Sequence, residues 1–226
     1  MKIQFLGTGA ADWPYSKPAD AVGEFRRLSS ALVDGVLLID PGPAVPEAME
    51  ELGLDPAAVR YVINTHRHRD HFNADTLKWL QDKGATFYDL DMEEEVSFGP
   101  YTVKSHRANH ATMMGAKHFL VTDGKSKLYY ALDGAWLLYG EVETIKAGVD
   151  LLVMDGTVGN VPGDYRIFEH NNLTMVKTMR ETLAPYVGQF YISHLARTLH
   201  EGHDAVAAEL AEHQIGVAYD GLTLEF

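Results

Sequence analysis

Thr65-His66-Arg67-His68-Arg69-Asp70-His71 is the stretch on which the reading of this chain turns. It follows the apolar run Tyr61-Val62-Ile63. In extended backbone the side chains repeat with a period of two, so His66, His68 and Asp70 project to one side while His71 faces another direction. One short segment can then offer two imidazoles to one metal ion, and a carboxylate plus an imidazole to a second. An isolated histidine pair in a polar loop is usually only exposed. Four ligand groups in six consecutive positions, directly after an apolar strand, point instead to a pair of metal ions.

The rest of the composition is consistent with that reading. There are no cysteines and eleven histidines, so disulfides, thiolate metal sites and cysteine nucleophiles are excluded, and imidazole and carboxylate are the strong ligands left for a transition metal. The 226 residues, 46% of them hydrophobic, suffice for a substantial core, and one domain spanning 1–226 is expected. The 32 acidic against 19 basic residues give a net charge of −13, which disfavours broad binding to nucleic acid or an anionic membrane. A small anionic substrate stays compatible with that charge where metal ions reverse the local field. The opening Met1-Lys2-Ile3-Gln4-Phe5-Leu6-Gly7 is too brief an apolar stretch for a signal peptide or a membrane span, and a cytoplasmic location is the default expectation. A homodimer is the default oligomer, from the frequency of two-fold assemblies alone.

Strands are expected over 3–6, over 30–33 and 36–39 as a hairpin turning at Asp34-Gly35, and over 61–64, with helices over 46–52 and 74–80. The histidine cluster falls between the strand at 61–64 and the helix at 74–80. Short strands follow over 87–90, 96–98, 101–105, 118–122 and 128–132. Helices over 142–147, 173–183 and 203–213 then alternate with strands over 151–154, 189–192, 217–219 and 222–225. Two such halves, each a sheet with helices on its outer face, can bury their sheets against each other in a four-layer αββα sandwich. The one long irregular stretch, 156–169, has the length of a functional loop.

The pattern Thr-His-x-His-x-Asp-His after a buried strand resembles the signature of the metallo-β-lactamase-fold hydrolases. Phe5-Leu6-Gly7-Thr8-Gly9, the turn Leu38-Ile39-Asp40-Pro41-Gly42 and the order of the later elements extend the resemblance over nearly the whole chain. They are most similar to the phosphodiesterase branch, with its phosphonate-pathway cyclic phosphodiesterases and transfer-RNA 3′-processing ribonucleases. The resemblance implies an α/β chain of the metallo-β-lactamase fold and identifies the distant members of the site. His110 in Asn109-His110 would join His66 and His68 on one metal, with His106 as its competitor and His118 read as a strand residue. His194 would join Asp70 and His71 on the other. Asp133, ending Tyr129-Tyr130-Ala131-Leu132, would bridge the two, with Asp155 as a rival placed later in chain order.

That set implies two divalent ions per chain, zinc by default, with manganese or iron suited to the same ligands. A hydroxide bridging the ions would be the nucleophile, oriented by Asp70. His170 is the candidate proton donor for the leaving group. Its competing role is that of a helix-start or surface residue. Glu169 and Asp40 are expected to orient histidines. Asp155 is read either as a support behind the ligands or as a turn-former. His200, Arg166 and Arg27 are candidates to touch the substrate, although a solvated histidine and arginines paired with acids account for them too.

The resulting expectation is a phosphodiesterase acting on a small, in some cases cyclic, phosphodiester. A thioester or lactone hydrolase with the same metals is the enzymatic alternative, and a non-catalytic metal-binding or sensing domain is the alternative of another class. The short segment between His71 and His110 and the missing basic arm argue against a transfer-RNA nuclease. The missing cysteines argue against an antibiotic hydrolase with a thiolate ligand.

Overall fold

The computed structural model describes residues 1–19, 23–110 and 115–226. In chain order the elements are β1 (Lys2–Gly7), β2 (Ser30–Val33), β3 (Leu37–Ile39), α1 (Val45–Glu51), β4 (Tyr61–Ile63), α2 (Ala74–Asp82), β5 (Thr86–Tyr88), β6 (Glu95–Phe98), β7 (Tyr101–Arg107), β8 (Lys117–Thr122), β9 (Lys127–Ala131), α3 (Tyr139–Lys146), β10 (Val149–Asp155), α4 (Leu173–Leu183), β11 (Val187–Ser193), α5 (His203–Ala211), β12 (Gly216–Val217) and β13 (Thr223–Glu225).

The strands form two mixed sheets, one in the order β13-β1-β2-β3-β4-β5 and the other in the order β12-β11-β10-β9-β8-β7-β6. Alternation along the strands dictates how they stack, because odd and even residues face opposite sides. Ile3, Phe5, Ala31, Val33, Leu37, Ile39 and Ile63 of the first sheet meet Val103, Phe119, Val121, Leu128, Tyr130, Leu151 and Val153 of the second in one core. The intervening residues turn outward. Leu32, Leu38 and Val62 pack with Val45, Ala48 and Met49 of α1 and Leu80 of α2. On the far side Tyr129, Leu152 and Met154 pack with Ile145 of α3, with Val176 and Met179 of α4, and with Val206 and Leu210 of α5. The layers therefore run helix, sheet, sheet, helix.

Element boundaries move by a few residues from the sequence expectation, most at α3. It begins at Tyr139 rather than 142 because the Glu141 carboxylate reaches back to accept from the backbone N–H of Leu138 at 2.7 Å, satisfying a donor that the helix start leaves open. The stretch expected to be wholly irregular contains a 3-10 helix, Tyr165–Phe168, and Asp164 accepts from the backbone N–H of Arg166 at its start. Among the described residues no helix is long and apolar enough to cross a membrane.

The parallel strands set the position of everything functional. Strands β3, β4 and β5 run parallel to one another, as do β9, β10, β11 and β12. Their carboxyl ends carry the loops in which open α/β sheets place their ligand sites. The two sheets are laced together there by Gly9, which bridges to both Leu28 and Leu195. Gly7 lies so close to this seam that a Cβ would sit 2.0 Å from the Leu28 carbonyl oxygen, so no other residue fits.

Candidate metal centre

Each expected ligand leaves the carboxyl end of a strand or the loop after one. His66, His68, Asp70 and His71 occupy the loop between β4 and α2. His110 follows β7, Asp133 follows β9, and His194 directly follows β11. Three residues at these ends hold left-handed backbone, Asp40 at φ 65°, Asp133 at 56° and His194 at 62°. Such conformations cost on the order of 1–3 kcal/mol each in non-glycine residues and persist where the surrounding structure over-determines them. Here they turn a carboxylate, a second carboxylate and an imidazole inward at the point where a strand ends.

The ligand atoms gather in two overlapping groups. His66 Nε2 lies 2.9 Å from His68 Nδ1, which lies 3.4 Å from His110 Nε2. In the other group His71 Nε2 is 3.2 Å from His194 Nε2 and 3.4 Å from Asp70 Oδ2, and His194 Nε2 is 3.6 Å from Asp70 Oδ2. Asp133 Oδ2 stands 2.6 Å from His71 Nε2 and 3.2 Å from His194 Nε2, and its carboxylate also groups with His66. Ligands held about 2.0–2.1 Å from a tetrahedral ion are separated from each other by about 3.3 Å. The observed spacing brackets that value.

Other contacts fix which nitrogen faces inward. The His71 Nδ1–H donates to Asp40 Oδ2 at 2.7 Å. Asp40 is held in turn by Thr65 N at 2.7 Å and Asn64 Nδ2 at 2.9 Å. His194 Nδ1 pairs with Thr157 Oγ1 at 2.7 Å, His66 Nδ1 with Thr65 Oγ1 at 3.0 Å, and His110 Nδ1 with the carbonyl of Glu169 at 3.3 Å. These partners leave each Nε2 lone pair pointing at the shared space, the arrangement by which supporting residues orient metal-binding histidines.

Electrostatics divide the two groups. Burial first, and then the neighbouring imidazoles, push His66 well below its ordinary pKa, and burial likewise lowers His110. Both present neutral rings. Burial also opposes charge on His71, but the carboxylates of Asp133, Asp70 and Asp40 outweigh it and raise its proton affinity strongly. Burial disfavours ionised Asp133, yet His194 and His71 hold its carboxyl well below the usual range. Positive charge is demanded at the point where these groups converge, and Asp133 Oδ2 is buried there without a hydrogen-bond partner. The donor set, its spacing and this orphaned oxygen fit a pair of divalent cations.

Asp155, the rival in the sequence, lies one layer behind. Its carboxylate accepts from Thr157 N at 2.9 Å, Thr157 Oγ1 at 3.0 Å and Asn171 N at 3.1 Å, and it holds His170 Nδ1 at 2.8 Å. Burial opposes charge on His170, but the Asp155 carboxylate overcomes it and raises the ring to about 9. His106 stays on β7, between Glu93 and Thr144, and His118 on β8 pairs with Glu141. Thr157, the hydroxyl that links His194 to Asp155, escaped the sequence reading, because a threonine after a strand end carries no signal of its own.

A cavity of about 430 Å³ opens over the cluster, lined by His68, Asp70, His110, Asp133, His170 and His194, with Thr157, Tyr165, Arg166, Glu169 and the Ala10-Ala11-Asp12 loop around them. The three candidate substrate contacts fare differently. Arg166 reaches the cavity, but its guanidinium donates twice to Asp164, at 2.8 and 2.7 Å. Arg27 does not reach it, being bound to Glu51 and lying 3.5 Å from Asp220. His200 is directed away from it, its Nε2 donating to the carbonyl of Gly156 at 2.9 Å.

A sequence profile described as the metallo-beta-lactamase superfamily matches residues 26–75, the segment that contains the histidine cluster. The structure of the metallo-beta-lactamase fold protein YhfI from Bacillus subtilis superposes with a TM-score of 0.76 at 16% identity, covering 100% of this chain and 99% of that one. The chain has the metallo-β-lactamase fold. Zn(2+)-bound PqqB from Methylobacterium extorquens, also at a TM-score of 0.76, is 17% identical and covered in full on both sides. A diphosphatase from the PhnP family gives a TM-score of 0.75 at 19% identity, covering 100% of this chain and 97% of that one. No curated protein matches by sequence. In the metallo-β-lactamase fold of this chain the seven converging side chains sit at one edge of the sheet sandwich, where strand ends from both sheets meet.

Proposed function

We propose that the protein is a hydrolase that uses two divalent metal ions, with zinc expected and manganese or iron suited to the same ligands, and that it acts on a small phosphodiester. The observation that carries this reading is Asp133, a buried carboxylate standing between two ligand groups, with Oδ2 2.6 Å from His71 Nε2 and 3.2 Å from His194 Nε2. His66, His68 and His110 would hold one ion, Asp70, His71 and His194 the other, and Asp133 both. When bound, such ions lower the pKa of a water to about 7 and neutralise charge that builds on the substrate's oxygens.

The chain's own groups supply the rest. Asp70 orients the attacking water by accepting its hydrogen. His170, anchored through Nδ1 to Asp155, keeps a proton on Nε2 beside the cavity and donates it to the departing alkoxide. An alkoxide needs that proton far more than a thiolate does, so a positioned acid supports a phosphodiester over a thioester. The likeness to a PhnP-family diphosphatase also supports chemistry at phosphorus.

Initial rates of metal-reconstituted protein on bis(p-nitrophenyl) phosphate, a cyclic nucleotide, a lactone and a glutathione thioester test the proposal. Turnover of the two phosphodiesters is expected. Turnover confined to the carbonyl substrates would overturn it, and fewer than one metal per chain with no turnover at all would favour a binding module.

A further inference from the structure

The charge of the cavity restricts what it accepts. Arg166 is the one lysine or arginine among its described lining residues, and residues 20–22 and 111–114, Asp-Ala-Val and Ala-Thr-Met-Met, contain none. Its guanidinium is committed to Asp164, which is 8% exposed and starts the Tyr165–Phe168 helix. That fork staples the loop and offsets the Arg166 charge with the Asp164 carboxylate, leaving Nη1 as the one nitrogen without a bond to Asp164. Against it stand four lining carboxylates, those of Asp12, Asp70, Asp133 and Glu169. The Asp12 carboxylate accepts from Arg197 N at 2.8 Å, Thr198 N at 3.0 Å and Thr198 Oγ1 at 2.9 Å. The four carboxylates cancel the four positive charges that two divalent ions would bring, and Asp40 and Asp155 lie behind. A second phosphate or another remote anion meets only the Asp155-bound His170, the Asp164-bound Arg166 and Arg197, whose Nε donates to the Asp12 carbonyl at 3.2 Å, so it gains little counter-charge.

The stapled loop instead offers an aromatic surface. Tyr165 lines the cavity and yet is 77% exposed; the Arg166 guanidinium lies 5.9 Å from its ring centroid on one side, which leaves the other face of the ring for a flat group. The same cavity is also lined by the small or apolar residues Ala10, Ala11, Ala196 and Leu199. Resting on the phosphodiesterase reading above, we infer that the substrate is a monoanionic diester bearing an aromatic arm that stacks on Tyr165, and that it is preferred over diphosphates and other polyanions.

Equilibrium binding to the zinc-reconstituted protein tests this without relying on turnover. The probes are diphenyl phosphate, dimethyl phosphate and a diphenyl phosphate carrying one para sulfonate on each ring. Diphenyl phosphate is expected to bind about tenfold more tightly than dimethyl phosphate, the scale of one aromatic stacking contact, and more tightly than the sulfonated probe, which stacks equally but brings two further anions. Tyr165→Ala should abolish the preference over dimethyl phosphate while metal content is unchanged, and Tyr165→Phe should keep it. Asp164→Asn, by releasing the Arg166 charge, should narrow the gap to the sulfonated probe. Equal or tighter binding of the sulfonated probe by the native protein would overturn the inference, as would an unchanged preference in Tyr165→Ala. The stated preference together with turnover of carbonyl substrates alone would leave the pocket assignment standing and remove the phosphodiesterase reading.

Discussion

His170 Nδ1 lies 2.8 Å from Oδ2 of Asp155, a fully buried carboxylate at the end of β10, with Asp133 Oδ1 3.8 Å away and the His194 ring stacked 5.7 Å from the His170 ring. The ring, which also groups with Asp133 and His194, is thereby held through Nδ1 and lines the cavity. His170→Ala should lower kcat by about 10²–10⁴-fold for an alkyl diester while bound metal stays at the native level. With a p-nitrophenyl diester the loss should be much smaller, because that leaving group departs without a proton. Equal losses for both substrates, or loss of metal, would show that the ring acts otherwise.

Asp133→Asn should reduce metal occupancy and activity together. The amide keeps the shape but removes the charge that His71 and His194 both face at Oδ2. Elemental analysis after reconstitution and dialysis, set beside turnover, checks the expectation. Full occupancy in the variant would contradict the bridging role.

Gly42 marks a dependence of the ligand loop on a distant turn. A Cβ there would lie 2.6 Å from the Asp70 carbonyl oxygen, so the backbone carrying Asp70 and His71 must shift to admit any side chain. Gly42→Ala should weaken metal binding about tenfold or more, the usual effect of disturbing support behind a ligand. Competition with a chromophoric chelator reads it directly.

The protein's stability should fall as pH rises for a reason remote from the metals. His118 Nδ1 contacts Glu141 Oε1 at 2.5 Å in full burial. Burial alone would lower the histidine, but the Glu141 carboxylate outweighs it and raises the pKa. A raised histidine stabilises the fold below its unfolded pKa, about 6.5, and that contribution is lost as pH climbs through the folded value. Glu141→Gln should cost about 3 kcal/mol at pH 6 by stranding a partner, and the difference from the native chain should shrink toward alkaline pH. Thermal melts across pH 6–10 measure both; a difference that widens with pH would refute the sign.

Chelation should likewise destabilise the chain. Ions present at about 100 times their Kd contribute about 2.7 kcal/mol, and removing them should lower Tm by about 5 °C or more. A melt unaffected by chelation would argue against the two-ion site.

Much of this was readable beforehand because the signals were local. The runs at 30–33 and 36–39 with the Asp34-Gly35 turn marked a hairpin, although being almost wholly apolar they did not say which face meets which neighbour, and four ligand groups in one loop announced the metals. His110, Asp133 and His194 required the family resemblance, since each is a single residue at a strand end whose meaning appears only when parallel strands bring those ends together. The partners of Asp155 were illegible for the same reason, with Thr157, His170 and Asn171 reaching it from both ends of a long loop. Arg27 and Arg166 stayed ambiguous between substrate contacts and ion pairs because sequence reveals an arginine without revealing which of 32 acids it will find.

The seven converging side chains offer only nitrogen and oxygen, in a chain without a single sulfur ligand of the cysteine kind. Oxidants that destroy thiolate sites have nothing to attack in this donor set. Equally, it does not select by softness, so the occupant follows the supply of ions and their intrinsic order of affinity. The same polypeptide prepared from zinc-rich and manganese-rich cultures would be two different reagents, and its activity would carry a record of the medium in which it was made.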